Sequence, residues 1–234
     1  MQTRDQGSSK LMNLLKHFFT TSLAIAVLNT AVCTADLTRT ADYDYETPVP
    51  GSYKLPIVKQ AADGEVLDSG GRPLRLSELT HGRLTVLSFI YTRCAAAKAC
   101  PMATGVLMQL HHLSAEDEAL AKHMRLVSIS FDPSTDTPDR MAAYSALADS
   151  SKPASEWRFI TTASQEKLRP IIDAYGQAVD RKKNPQDPTG PLNHILRVFL
   201  IDRDGNIRNI YSSGTLDLRL VLADVKRLLA EQPQ

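Results

Sequence analysis

The sequence is poor in the residues that mark several classes of binding protein. Aromatic side chains make up 6% of its 234 residues, and the formal net charge is +1. A nucleic-acid-binding surface needs a basic excess to neutralise phosphates, so this composition argues against nucleic acid as a partner. Hydrophobic residues make up 43% of the chain, enough for an ordinary globular core. The length suits one domain with additional segments.

Long hydrophobic runs are also scarce. The N-terminal run Phe18–Leu28 follows two lysines, but a membrane-spanning helix needs about 20 apolar residues. Positive charge, a short apolar run and small residues at Cys33 and Ala35 are typical of an export signal cleaved after Ala35. We therefore predict that residues 1–35 form a signal peptide, or an uncleaved anchor that tethers the protein to the membrane.

Cysteine is scarce too, so each one can be weighed separately. Cys33 would leave with the signal peptide, and two cysteines would remain in the mature chain, Cys94 and Cys100. An even number in an exported protein permits a disulfide. Residues 36–52 are polar and lack an apolar period, so we predict a linker there and a folded domain over residues 53–231.

Within this domain, β-branched apolar stretches alternate with helix-forming ones. The predicted strands are Arg83–Tyr91, Arg125–Asp132, Glu156–Thr162 and a pair joined at Asp204-Gly205. Helices are predicted between them and at the C-terminus, one of them interrupted at Pro170. This order predicts an α/β fold with a sheet covered on both faces. The cysteines follow the first core strand, and ligand sites of such folds cluster at strand ends.

The segment between Cys94 and Cys100 reads "AAAKA", which favours a helix by propensity. A helix would turn roughly 600° and climb about 9 Å between the two cysteines, pointing their sulfurs apart. A disulfide needs Cα atoms roughly 4.4–6.8 Å apart, and a shared metal ion sets a similar limit. Pro101 biases Cys100 away from helical dihedrals. We predict a loop with Cys100 as the helix N-cap, where the helix dipole lowers its pKa.

Three interpretations of the cysteine pair stay open at this point. As a structural disulfide, the pair would close only a small loop and so stabilise the fold little, because the entropic gain from a disulfide grows with loop length. As a redox dithiol, it needs an exposed member with a low pKa, a role that Cys100 would fill. As a metal site, two thiolates are soft ligands suited to Cu(I), and an added imidazole extends the range to Cu(II).

Among the six histidines, His194 is the candidate third ligand. His111 and His112 are adjacent, so on a helix they point about 100° apart and cannot share one ion. His194 directly follows the long polar segment Gly176–Asn193 and precedes a predicted core strand. Parallel packing of that strand beside Arg83–Tyr91 would bring His194 close to the cysteine loop.

Four further side chains are weaker candidates near this site. Asp132 follows a predicted strand and could orient His194 as a hydrogen-bond acceptor, although a plain turn role with the following proline fits as well. Tyr91 and Arg93 directly precede the cysteine loop and could flank a metal. Met102 offers a thioether, but methionine in a first helical turn more often fills space.

The ordered set "FIYTRC", "CP", "LVSISFDPSTDTPDRMAAY" and "NHILRVFLIDRDGNI" resembles the Sco/SenC family of thioredoxin-like copper proteins over about residues 53–229. The resemblance implies a three-layer α/β sandwich with a central mixed sheet. It implies copper as the cofactor, with Cys94, Cys100 and His194 as its ligands. It also implies a periplasmic chaperone that helps to assemble the copper centre of cytochrome c oxidase, with an oxidase subunit or another copper protein as partner.

The sequence departs from the family pattern in one respect. The usual motif has three residues between the cysteines, and this chain has five, which leaves the effect on metal affinity open. The alternative function is a thiol-disulfide reductase that uses Cys94 and Cys100 as a redox-active disulfide and does not need His194. Thioredoxin-type reductases place a cis-proline before the strand facing their cysteines, and no proline lies between His194 and Asp202.

Overall fold

A computed structural model describes residues 45–148 and 152–231 of the chain. The predicted signal peptide or anchor, residues 1–35, and residues 36–44 of the predicted linker lie outside this part. Within the described ranges, every helix is too short or too polar to cross a bilayer.

The described residues form short strands and helices that alternate along the chain. The strands are β1 (Lys59–Gln60), β2 (Glu65–Asp68), β3 (Pro73–Arg75), β4 (Leu84–Ile90), β5 (Met124–Ser130), β6 (Glu156–Thr161), β7 (Val179–Arg181), β8 (Leu192–His194), β9 (Val198–Ile201) and β10 (Asn206–Tyr211). The helices are α1 (Ser77–Thr80), α2 (Cys100–Ser114), α3 (Glu118–His123), α4 (Pro138–Tyr144), α5 (Gln165–Tyr175) and α6 (Leu218–Ala230), with a 3-10 turn at Ser145–Ala148.

The main sheet is mixed, as the family resemblance implies, with strand order β1-β10-β9-β4-β5-β6-β2-β3. Strands β4, β5 and β6 are parallel to one another, and all seven residues of β4 are buried. A continuous run of apolar and β-branched residues suits a central strand that is covered on both faces. The cysteine loop leaves the carboxyl end of this central strand. Strands β7 and β8 form a separate two-stranded sheet.

The predicted direction of the strand after His194 is wrong. Strand β9 pairs with β4 in the antiparallel direction, with Val198 opposite Ser88 and Ile201 opposite Thr85. Antiparallel pairing places the start of β9 beside the carboxyl end of β4. A parallel β9 would have started at the far end of β4, away from the cysteine loop.

Helix α5 is not interrupted at Pro170, contrary to the prediction. The helix continues through this residue and buries four side chains, Leu168, Ile171, Ile172 and Tyr175. Pro170 itself is exposed, so its ring meets solvent while the apolar face stays on the core. Burial of that face outweighs the lost backbone hydrogen bond, since most helix stability in proteins comes from packing.

The end of the predicted linker and the first residue of the predicted domain, Tyr53, lie against α6 and its N-cap. The Tyr45 hydroxyl donates to Asp217 Oδ2 over 2.9 Å, and the Tyr53 hydroxyl donates to Asp224 Oδ1 over 2.5 Å. Asp224 is 1% exposed, so the segment supplies a donor to a buried carboxylate. We call Tyr45–Leu55 the N-terminal strap.

Candidate metal centre

The structure brings together the three side chains that the sequence singles out as metal ligands. Cys94 lies in the loop after β4, Cys100 is the first residue of α2, and His194 is the last residue of β8. His194 Nε2 lies 3.5 Å from Cys94 Sγ and 3.4 Å from Cys100 Sγ. The three ligand atoms all lie within 4.8 Å of one another, so one ion can contact all of them.

The cysteine loop turns back on itself, in agreement with the sequence argument. Residues 94–99 contain no helix, and the Ala99 N–H donates to the Ala96 carbonyl over 2.9 Å. The helix N-cap is Ala99 rather than Cys100, which is the first helical residue. Pro101 then occupies an early helical position, where its missing N–H does no harm.

One side of the loop is held by the segment that follows β5. Arg93 Nη2 donates to Asp132 Oδ2 over 3.0 Å, so Asp132 pairs with Arg93 and not with His194. Asp136 accepts hydrogen bonds from the backbone N–H and the hydroxyl of Thr92. Sequence reasoning did not find Asp136, because its partner lies 44 positions away in the chain.

The other side of the loop is held by the segment before β8. The Thr189 carbonyl accepts hydrogen bonds from Ala95 N–H and from the Tyr91 hydroxyl, both over 3.3 Å. Gly190 has φ +99, and a Cβ there would collide with the Tyr91 hydroxyl and lie 2.8 Å from the Arg93 carbonyl oxygen. The close approach of the two loops therefore requires glycine at this position.

The His194 ring is oriented by one backbone group and two aromatic rings. Its Nδ1 lies 3.4 Å from the Leu192 carbonyl oxygen, which directs Nε2 towards the sulfurs. The ring centroids of Tyr91 and Phe131 lie 5.3 Å and 5.1 Å from that of His194. Tyr91 therefore flanks the site, as the sequence suggests.

The two thiols have different surroundings, and the predicted order of their pKa values is reversed. Hydrogen bonding from Cys100, and then from His194 and backbone N–H groups, outweighs burial and lowers the pKa of Cys94 to about 4. The same hydrogen bond with Cys94, together with burial, raises the pKa of Cys100 far above its usual value. Cys94 is half-buried, whereas Cys100 is 3% exposed. Cys94 is thus the accessible thiolate.

Other predicted features have simpler roles. Both cysteines are free thiols in this structure, and a redox-active disulfide between them stays a prediction. Met102 packs against the hydrophobic core. His111 is buried, with Nε2 2.9 Å from the Ala148 carbonyl oxygen, a structural contact away from the centre. Among the described residues, every peptide bond is trans.

The chain is a thioredoxin-like α/β domain that brings two thiols and one imidazole within 4.8 Å of one another, beside the carboxyl end of its central strand. The family model described as SCO1/SenC matches residues 63–230. Because this match covers most of the sequence, the chain belongs to the SCO1/SenC family. None of the curated proteins searched matches it.

Solved structures share this fold. A SCO1/SenC family lipoprotein from Bacillus anthracis is 25% identical with a TM-score of 0.59, over 73% of this chain and 95% of that one. Copper-bound ScoI of Bradyrhizobium japonicum is 21% identical with a TM-score of 0.57, over 72% of this chain and 99% of that one. BsSco, described as a member of the Sco family of cytochrome c oxidase assembly proteins, is 20% identical with a TM-score of 0.57, over 77% and 100%.

Proposed function

We propose that this protein is a copper chaperone that binds one copper ion through Cys94, Cys100 and His194. The observation that carries the proposal is the meeting of two sulfurs and one imidazole nitrogen within 4.8 Å. Thiolates are soft ligands that select Cu(I), and an imidazole also suits Cu(II). One low-pKa thiol at the centre supports metal binding, because a thiolate is the ligand form of cysteine.

The five-residue spacing does not separate the thiols. Between the cysteines, the Ala95 N–H donates to the Thr189 carbonyl and the Ala99 N–H donates to the Ala96 carbonyl, so the segment turns back and the three ligand atoms stay within 4.8 Å of one another. We therefore propose that the longer motif supplies the same three ligand atoms as a three-residue motif would.

We further propose that the copper is delivered during assembly of the copper centre of cytochrome c oxidase. Two observations support this step: the chain belongs to the SCO1/SenC family, and the similar protein BsSco is described as a member of a family of oxidase assembly proteins. The partner would be an oxidase subunit or another copper protein. We place it in the periplasm, with residues 1–35 acting as an export signal or membrane tether.

Anaerobic copper titration of the reduced protein tests this function. We expect one ion per chain and, with Cu(II), a sulfur-to-copper charge-transfer band. Cys94→Ser and Cys100→Ser should each abolish the band, because each removes a thiolate ligand. Loading without any loss of affinity or band in these variants would show that copper binds elsewhere.

Thiol-disulfide reduction of a partner protein is the second candidate. The lowered pKa and partial exposure of Cys94 favour it, because the attacking group in disulfide exchange is a thiolate. The absence of a cis peptide bond among the described residues removes the feature with which thioredoxin-type reductases dock their substrates. His194→Ala separates the two functions: a chaperone loses copper affinity, whereas a reductase keeps both cysteines and still reduces disulfides, with its rate changed only through the pKa of Cys94.

A further inference from the structure

We propose that Asp136 is a positioning residue of the metal centre, which acts through Thr92 to fix Cys94 opposite Cys100 and His194. This inference rests on the proposed copper function. It assigns part of the protein's copper affinity to Asp136, a side chain that is not itself a ligand.

The contacts of Asp136 join two neighbouring strands at the end where the centre lies. Its Oδ2 accepts from the Thr92 backbone N–H over 3.0 Å and from the Ser130 hydroxyl over 2.6 Å. Its Oδ1 accepts from the Thr92 hydroxyl over 2.5 Å. Ser130 ends β5 and Thr92 lies just beyond the end of β4, so one carboxylate fixes where the chain leaves β4.

Burial makes these hydrogen bonds strong and specific. Asp136 is 0% exposed, and a buried carboxylate is stable only when its oxygens are satisfied. Three donors from two residues satisfy it here. Asp136 N–H in turn donates to the Asp132 carbonyl over 2.8 Å, which fixes the carboxylate within its own turn.

The position of Thr92 links this network to the ligands. Thr92 stands two residues before Cys94, inside a turn that is closed by a 3.1 Å hydrogen bond from Cys94 N–H to the Tyr91 carbonyl. A shift of Thr92 therefore moves the Cys94 sulfur. The ligands on the other two elements, Cys100 in α2 and His194 in β8, would stay in place, and the three-atom set would open.

The test is copper binding by Asp136→Asn and Thr92→Val in the full-length reduced protein. We expect each variant to lose copper affinity by about 10–100-fold, the usual range for partners that orient metal ligands, and to alter the sulfur-to-Cu(II) band. Thr92→Ser keeps the hydroxyl group and should therefore retain the copper affinity of the wild type. The double variant Asp136→Asn/Thr92→Val should bind copper no more weakly than the weaker-binding single variant, because both changes break the same contact.

Asp202→Asn is the matched control. Asp202 is another buried turn aspartate, 8% exposed, and it accepts hydrogen bonds from the Asp204 and Asn206 backbone N–H groups in the β9–β10 hairpin. We expect it to lower the melting temperature without changing copper affinity. Equal copper affinity in wild type, Asp136→Asn and Thr92→Val would overturn the inference, since Asp136 would then only stabilise the fold.

A copper-independent readout separates failure of this inference from failure of the proposed function. Diamide takes two electrons and two protons from a pair of thiols and leaves a disulfide. In the metal-free protein, displacement of Cys94 should change the rate of Cys94–Cys100 disulfide closure at least several-fold in Asp136→Asn and Thr92→Val, but not in Asp202→Asn. If wild type binds no copper, the chaperone function fails, and this rate still decides the role of Asp136.

Discussion

At the residue scale, the two cysteines of the centre differ in exposure and in ionisation. Cys94 is half-buried and Cys100 lies under it at the start of α2. The Cys100 thiol donates a hydrogen bond that keeps the pKa of Cys94 at about 4. One sulfur is therefore an anion at neutral pH, and the other keeps its proton until a metal or a strong base removes it.

This difference predicts the pH dependence of thiol alkylation. The rate for an ordinary cysteine rises by roughly two orders of magnitude between pH 6 and pH 8, because its pKa lies near 8.5. Cys94 in the metal-free protein should react with iodoacetamide at a nearly constant rate over this range, while Cys100 stays unmodified. Peptide mass spectrometry measures both rates.

Cys100→Ala is the control for the alkylation experiment. Without the Cys100 donor, the pKa of Cys94 should rise and its alkylation should become faster with increasing pH. A wild-type Cys94 whose rate already climbs like that of a free cysteine would contradict the lowered pKa.

At the element scale, two loops hold the centre from opposite sides, and glycines decide how closely they approach. Gly190 lies against Tyr91 and Arg93 in a backbone conformation that other residues rarely adopt. Gly105 lies inside α2 with nothing within 4 Å of the position of a Cβ. Substitution at the two positions should therefore have opposite effects.

Gly190→Ala should destabilise the protein by about 1–3 kcal/mol, from backbone strain and from contact with the Arg93 carbonyl oxygen. It should also weaken copper binding, because it pushes the loop away from the centre. Urea unfolding and copper competition measure the two effects. Gly214→Ala, which has open space around it, is the control and should change neither; a neutral Gly190→Ala would refute the close packing.

Gly105→Ala should stabilise the protein by about 0.5–1 kcal/mol, because alanine loses less backbone entropy than glycine in a helix interior. The melting temperature should rise by about 1–4 °C for a domain of this size. Copper affinity should not change, since the new methyl group meets no other atoms. A lower melting temperature would show that the space around Gly105 is filled.

The elements of the sheet were easier to predict than their directions. The run at β4 is mostly apolar, so its burial follows from sequence alone. The direction of β9 does not, because the hydrophobic pattern of a strand is the same in either direction. The reversed pKa order of Cys94 and Cys100 depends on burial and on a contact between them, which propensity does not describe. His194 was singled out by the family resemblance and by its place before a core strand, although the predicted parallel pairing of that strand was wrong.

At the scale of the whole molecule, the N-terminal strap ties the start of the domain to its last helix. Tyr53 and Asp224 are 171 positions apart and share a hydrogen bond. Asp224 also accepts from the Tyr211 hydroxyl over 2.6 Å and from Asn209 over 2.8 Å. The strap thus completes a buried polar cluster that the rest of the domain leaves one donor short.

Tyr53→Phe should lower the free energy of unfolding by about 1–3 kcal/mol, the usual effect of removing a hydrogen bond to a charged group. Chemical denaturation measures it. Tyr45→Phe is the matched variant: Asp217 keeps its ion pair with Arg219 at 2.6 Å, so the loss should be smaller. Asp217 and Asp224 are both buried, at 0% and 1% exposed, so equal losses in both variants would show that the ion pair with Arg219 does not compensate Asp217 for the lost hydrogen bond.

The unequal depth of the two sulfurs sets an order of events for the proposed copper transfer. A donor or acceptor protein would meet Cys94 at the surface, because Cys100 is covered by the core. Loading would begin with the bond to Cys94 and end with the bond to Cys100. Release along the same path would run in reverse, so Cys94 would be the first sulfur to bind an arriving ion and the last to hold a departing one.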